Sequence, residues 1–220
     1  KRPYEMEWAG RTSDIRAALI DFENLDGWTV ETQQAEARLE LSREEQLWGN
    51  HVAKLTYRGT GTRSVVTVRP PQPVPVKGNV DCVNFWVCGN NWAWVPDTTT
   101  PQVDIAVVLQ GKVGKSVRVS MGRVRWREWW VMHKRLTVEQ IALLGGSVSV
   151  AAIEVAGGRN TQDRVLHFDN LAVYRESLAP LQFQPRPERN VKLPPGQTVG
   201  TNTGPGVLPF PTREKTILPD

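Results

Sequence analysis

Apolar and polar residues alternate in short runs over the first 175 positions, and turn-forming residues separate the runs. The period-2 segments are 17–23, 28–31, 35–41, 51–57, 63–69, 80–88, 103–109, 116–121, 129–136, 147–155 and 165–174. Glycines at 59, 61, 78, 89, 111, 114, 145, 146, 157 and 158 punctuate them. Many strand-length runs without alternating helices predict an all-β fold, a two-sheet antiparallel β-sandwich rather than a parallel α/β sheet. Alternation within each run sends Phe22, Leu55, Phe85, Val87, Ile105, Val107, Trp130, Ile153 and Phe168 inward, and Trp28 is expected between the sheets with them. One helix is expected over Val138–Leu144, since Thr137 stands as a cap with Gln140 three residues on. The prolines of RPPQPVPV at 69–76 have no N–H to donate, so that stretch is expected as an extended edge or a loop.

The character of the chain changes near Pro180: nine of its sixteen prolines fall in the last 41 residues. The division expected is an N-terminal extension at 1–16, the sandwich at 17–176, and a Pro/Gly-rich linker or the start of a following domain at 177–220. Docking of that tail through Leu208, Phe210, Ile217 and Leu218 is the alternative. The chain starts at Lys1 without a methionine or a signal-type apolar core, as a trimmed fragment would. No apolar run reaches bilayer-spanning length, so no membrane partner is expected. A net charge of +4 spread along the chain is too diffuse for a nucleic-acid footprint. An anionic polysaccharide stays open beside the plainer reading, a solvated mixed-charge surface. Cys82 and Cys88 lie on one strand face roughly 20 Å apart at strand rise, too far to bridge, and read as small hydrophobes.

Three stretches in order carry a family resemblance: DFENLDGW at 21–28, GNHVAKLTY at 49–57 and HFDNLAVY at 167–174. VNFWVCGNN and WREWWVMHKRL lie between the last two. Together they resemble the jelly-roll (galactose-binding-like) carbohydrate-binding modules attached to glycoside hydrolases, over about residues 17–175. The resemblance implies a non-catalytic module of a larger extracellular glycan-acting protein, secreted or on the cell surface or in the periplasm. Its partners would be a polysaccharide or oligosaccharide and a neighbouring domain of the same parent chain. The competing reading is a purely structural accessory sandwich that packs on a catalytic domain and binds nothing.

The resemblance also implies a structural Ca2+. Asp21 and Glu23 are expected on one face of the opening strand, and Asp169 comes close if first and last strands are neighbours. Glu23 and Asp169 match the family positions best, and Asn50 could add an oxygen. The alternative is that these carboxylates only cap turns. For catalysis, the acidic residues do not recur at a spacing that forces a glycosidase dyad, and GxSxG and HExxH are absent. For sugar recognition, nine tryptophans give ample aromatic surface. Trp92 and Trp94 follow Asn90 and Asn91 in a loop-like segment, as a platform with amides beside it; either ring could instead plug the end of the sandwich. Arg125, Arg127, Trp129 and His133 alternate on what is expected to be one strand face, suited to an acidic sugar, with a charged guard on an edge strand as the bland alternative.

Overall fold

The computed structural model describes residues 18–90 and 102–176, the Val113 side chain excepted. Their architecture is the expected one: two antiparallel sheets packed face to face. The first sheet runs β1 (Thr29–Gln33), β4 (Ser64–Arg69), β10 (Val148–Gly157), β7 (Asp104–Gln110), β8 (Ser116–Arg123), with β5 (Val74–Val76) also against β10. The second runs β2 (Ala35–Ser42), β3 (Val52–Gly59), β11 (Arg164–Tyr174), β6 (Cys82–Cys88), β9 (Trp129–Arg135). Alternation decides which residues meet. Leu55, Phe85, Val87 and Phe168 leave the inner face of the five-stranded sheet, and Val66, Val68, Ile105, Val107 and Ile153 leave the other. Phe22 fills the space between, its ring centroid 6.1 Å from Phe85, 6.4 Å from Phe168 and 5.6 Å from half-buried Trp28.

Local signals account for the smaller elements. The helix α1 spans Val138–Leu144 behind a complete capping box, in which Gln140 N donates to Thr137 Oγ1 and Thr137 N donates to Gln140 Oε1. Gly145, left-handed at φ 63°, closes it. The proline-rich stretch contributes only β5, where Pro75 stands opposite Ser149 on β10. Cys82 and Cys88, at the two ends of β6, are free and buried.

Three expectations need correction. The opening segment is not a strand: it makes one bridge, Ile20 to Leu171, before Phe22 takes a left-handed φ of 56° and turns its ring inward. Trp130 is not buried. It sits opposite inward-facing Val87, but β9 is an edge strand, and with Trp126 as its ring neighbour at 6.3 Å it stays 37% exposed. Arg125 and Arg127 do not share a strand face with Trp129 and His133, because β9 begins only at Trp129 and both arginines lie exposed in the loop before it. In each case a turn or an edge interrupted a run that alternates in sequence.

The outer face of the five-stranded sheet

The side of the five-stranded sheet turned away from the core is assembled by register. β6 sends out Cys82, Asn84, Trp86 and Cys88, and β9 sets Arg135, His133, Val131 and Trp129 directly opposite them. β11 brings His167 beside Cys88 and Asp169 beside Trp86. A bulge between Asp169 and Leu171, with Asn170 at φ 39°, then resets the alternation. It lets Asp169 point outward while both Phe168 and Leu171 remain in the core.

The loop 43–51, between β2 and β3, folds across this face and is tied to four strands. Glu44 pairs with Lys54 of β3 at 2.6 Å and lies 3.9 Å from His167 Nε2 of β11. Trp129 Nε1 of β9 donates to Glu45 O at 2.7 Å. Trp48 N donates to Asp169 Oδ2 at 3.1 Å, and the Trp48 ring meets Trp86 of β6 edge-on at 5.1 Å. The result is an aromatic surface of Trp48, Trp86 and Trp129 on the solvent side of the sheet. Trp48 is 40% exposed, and the Asn84–His133 pair (Oδ1 to Nδ1, 2.6 Å) lies two residues along from Trp86 and Val131. At the β2–β3 side, Glu36 pairs with Arg58, and Asp163 lies 4.0 Å from Arg38 and 3.9 Å from Arg58.

The acidic corner adjoins the same loop. Glu23 Oε1 accepts the backbone N–H of Asn50 at 2.7 Å and of His51 at 3.3 Å, and Glu23 Oε2 lies 3.4 Å from His51 Nδ1. Asp21 Oδ1 accepts Glu23 N at 3.2 Å. Asp169, only 2% exposed, accepts Trp48 N on one oxygen and Asn170 N on the other. Burial foremost, with the charges of Glu23 and Asp21 adding to it, pushes the Asp169 carboxyl up to about 6 against the lowering by those two N–H groups. Glu23 is held below its ordinary range: burial raises it, but the N–H groups of Asn50 and His51 and the His51 ring outweigh that. Glu23 and Asp169 therefore tie the loop, Asp21 caps its own turn, and the charges of Asp21 and Glu23 reach Asp169.

Of the residues singled out from sequence, Trp129 and His133 lie on this face, and Asp21 and Glu23 lie near enough to Asp169 for their charges to act on it. Asn50 reaches the corner through its backbone N–H. Asn90 has a structural duty, its amide donating to Tyr57 Oη at 3.1 Å and Val165 O at 2.9 Å. Asn91, Trp92 and Trp94 lie outside the described residues. Trp48 and Trp86 escaped sequence reasoning. Trp86 sits in a run of apolar neighbours, CVNFWVC, whose period-2 phase alone marks it as outward, and Trp48 lies in a loop with no alternation to place it.

No family model matches the sequence, and no curated protein matches it. Solved structures similar to this chain include carbohydrate-binding modules. A structure of carbohydrate-binding modules from the β-sandwich superfamily shares 12% identity at a TM-score of 0.48, over 72% of this chain and 62% of that one, so this chain spans less than two thirds of its length. The family 11 carbohydrate-binding module of a Clostridium thermocellum cellulosomal cellulase shares 11% identity at 0.42, over 73% and 94%. An exo-β-agarase shares 12% at 0.49, over 74% and 26%.

Proposed function

We propose that this domain is a non-catalytic carbohydrate-binding module whose binding surface is the outer face of the five-stranded sheet. The observation that carries the reading is the Trp48–Trp86–Trp129 cluster on the solvent side of that sheet, centred on an edge-on pair 5.1 Å apart. Indole rings present broad apolar faces with a polar N–H handle, which suits the C–H faces of pyranose rings. Trp129 already spends its N–H on Glu45 O, so its ring is fixed and little entropy is lost on contact. Asn84 and the Glu44–Lys54 pair supply hydrogen-bonding groups around the rings. Several carboxylates of this face are in ion pairs, Glu44 with Lys54, Glu36 with Arg58, and Asp163 with Arg38 and Arg58, which fits a surface that binds glycan without cleaving it.

The reading extends to a parent chain that acts on glycans outside the cell, with this domain tethering a neighbouring one to its substrate. Among the described residues no helix is long and apolar enough to cross a membrane. A structural calcium at the acidic corner belongs to the same proposal. The observation in its favour is the buried Asp169 carboxyl, driven upward in part by Glu23 and Asp21, since a hard cation would relieve that repulsion. Asp21, Glu23 and Asp169 would hold it, with Asn50 alongside, and its contribution would be to fix the loop 43–51.

A glycan array on the intact chain, followed by titration calorimetry with the best ligand, tests the proposal. Binding that weakens in Trp48→Ala and Trp129→Ala supports it. A silent array with a correctly folded protein would overturn it and leave the structural accessory reading.

A further inference from the structure

Two strand ends and the segment that follows β11 bring together a thiol, an imidazole and a carboxylate at the opposite end of β6 from the tryptophans. Cys82 opens β6, and Arg135 of β9 and Tyr174 of β11 stand on either side of it. His133 lies two residues back along β9 on the same face, and Glu176 follows the end of β11. One ligand atom from each of Cys82, His133 and Glu176 lies within 4.8 Å of the other two. With Zn–S about 2.3 Å and Zn–N about 2.0–2.1 Å, the ligand atoms of a tetrahedral zinc site stand roughly 3.3–3.8 Å apart. Small side-chain rotations close that difference. We propose that Cys82, His133 and Glu176 form a zinc site.

The surroundings fit the role. His133 Nδ1 is 2.6 Å from the Asn84 side-chain oxygen, so Nδ1–H donates and the ring would coordinate through Nε2. An amide oxygen behind a ligating imidazole is the usual second partner that fixes ring and tautomer. Tyr174 Oη donates to Glu176 Oε2 at 3.3 Å, and Asp81 Oδ1 accepts Glu176 N at 2.6 Å. Asp81 itself is pinned to both neighbouring strands, its N–H to Tyr174 O at 3.0 Å and its carbonyl to Leu136 N at 2.7 Å. All three ligands therefore hang from backbone that the sheet holds rigid. Cys82 is fully buried and Glu176 nearly so. A set of thiol, imidazole and carboxylate suits zinc, whereas calcium and magnesium take oxygen ligands. The inference does not depend on glycan binding, and it is read without any glycan present.

The test is cobalt substitution in the reduced full chain. Co2+ should produce a thiolate-to-cobalt charge-transfer band in the near ultraviolet that saturates at one equivalent and is displaced by Zn2+. Cys82→Ser should abolish the band, and Cys88→Ser, which alters the other buried thiol at the far end of β6, should leave it intact. Glu176→Gln and His133→Asn should each weaken Zn2+ binding about tenfold or more, and Asn84→Ala about 10- to 100-fold through the imidazole it orients. Glu176 lies beyond the last strand, so its variant reports even if a β6 substitution fails to fold. Absence of the band in the wild-type chain, its survival in Cys82→Ser, or unchanged Zn2+ affinity in Glu176→Gln would overturn the assignment.

Discussion

The buried Asp169 makes the native state less stable as the carboxyl ionises, and the size of that effect can be worked out. Its folded value near 6 stands against an ordinary 3.8, a difference of about two units. At 1.36 kcal/mol per unit this is roughly 3 kcal/mol, an upper figure since relaxation around the charge reduces it. The sign follows from proton counting. Between the two values the folded state holds a proton that the unfolded state has lost, so stability falls as pH rises from about 4 to about 6 and is level above. Glu23 and Glu44, lowered, and His167, lowered chiefly by burial, act with the opposite sign, so the wild-type profile alone is ambiguous. Asp169→Asn isolates the effect. Thermal unfolding in EDTA at half-unit steps from pH 4 to pH 7 should show the Asn variant gaining on the wild type by about 2–3 kcal/mol across the window. At roughly 2–4 °C per kcal/mol for a domain of this size, that is a relative gain of about 4–12 °C. The fixed cost of an acceptor lost to Trp48 N or Asn170 N shifts the whole curve and not its slope. A difference between the two proteins that stays constant with pH would refute the reasoning.

Two further predictions follow from the same geometry. Calcium at neutral pH should raise the melting temperature over EDTA, by about 2.7 kcal/mol of stability at a hundredfold excess over Kd, and Asp169→Ala should erase the difference; identical melts in both media leave the corner as loop ties alone. Trp48→Ala should weaken glycan binding by about 2 kcal/mol, roughly thirtyfold, with little change in melting, whereas Phe85→Ala, wholly buried, should cost about 3–5 kcal/mol of stability.

How much of this was legible in the sequence depends on how local the cause is. Thr137 and Gln140 announce α1 because a capping box is complete within four residues. The strands from β2 to β11 are visible because alternation against one buried face is a property of each strand alone, and even β5 follows from what proline cannot donate. The carboxylates of the acidic corner were legible as residues, and the opening segment does lie beside β11 as expected, but Asp21 and Glu23 approach Asp169 through a turn at Phe22 and not through a strand face. Trp48 was not legible at all. Its place depends on an N–H reaching Asp169, 121 positions later, and on a bulge at Asn170 that turns Asp169 outward. Cys82, His133 and Glu176 are likewise far apart in sequence, and only the order β11-β6-β9 makes them neighbours. No run of sequence records that grouping, because the spacing that matters is across strands.

The loop 43–51 couples the acidic corner to the aromatic surface, and one glycine tests the coupling. Gly49 holds a left-handed φ of 63°, and a Cβ there would overlap Glu23 Oε1, the oxygen that accepts the Asn50 and His51 N–H groups. Gly49→Ala must therefore move either the carboxylate or the loop, and Trp48, the adjacent residue, moves with the loop. The expected cost in stability is about 1–3 kcal/mol, as for other strained backbone positions. Glycan affinity should fall as well, by tenfold or more, although Gly49 offers no side chain to a sugar. Gly27→Ala supplies the control. Its φ of 74° is strained in the same sense, and its Cβ would meet only Pro71 at 3.0 Å, in a turn that leads into β1 of the other sheet. It should lose comparable stability and keep its glycan affinity. Equal loss of binding in both variants would mean that affinity simply follows global stability. Unchanged binding in Gly49→Ala would separate the loop from the site and remove Trp48 from the binding surface.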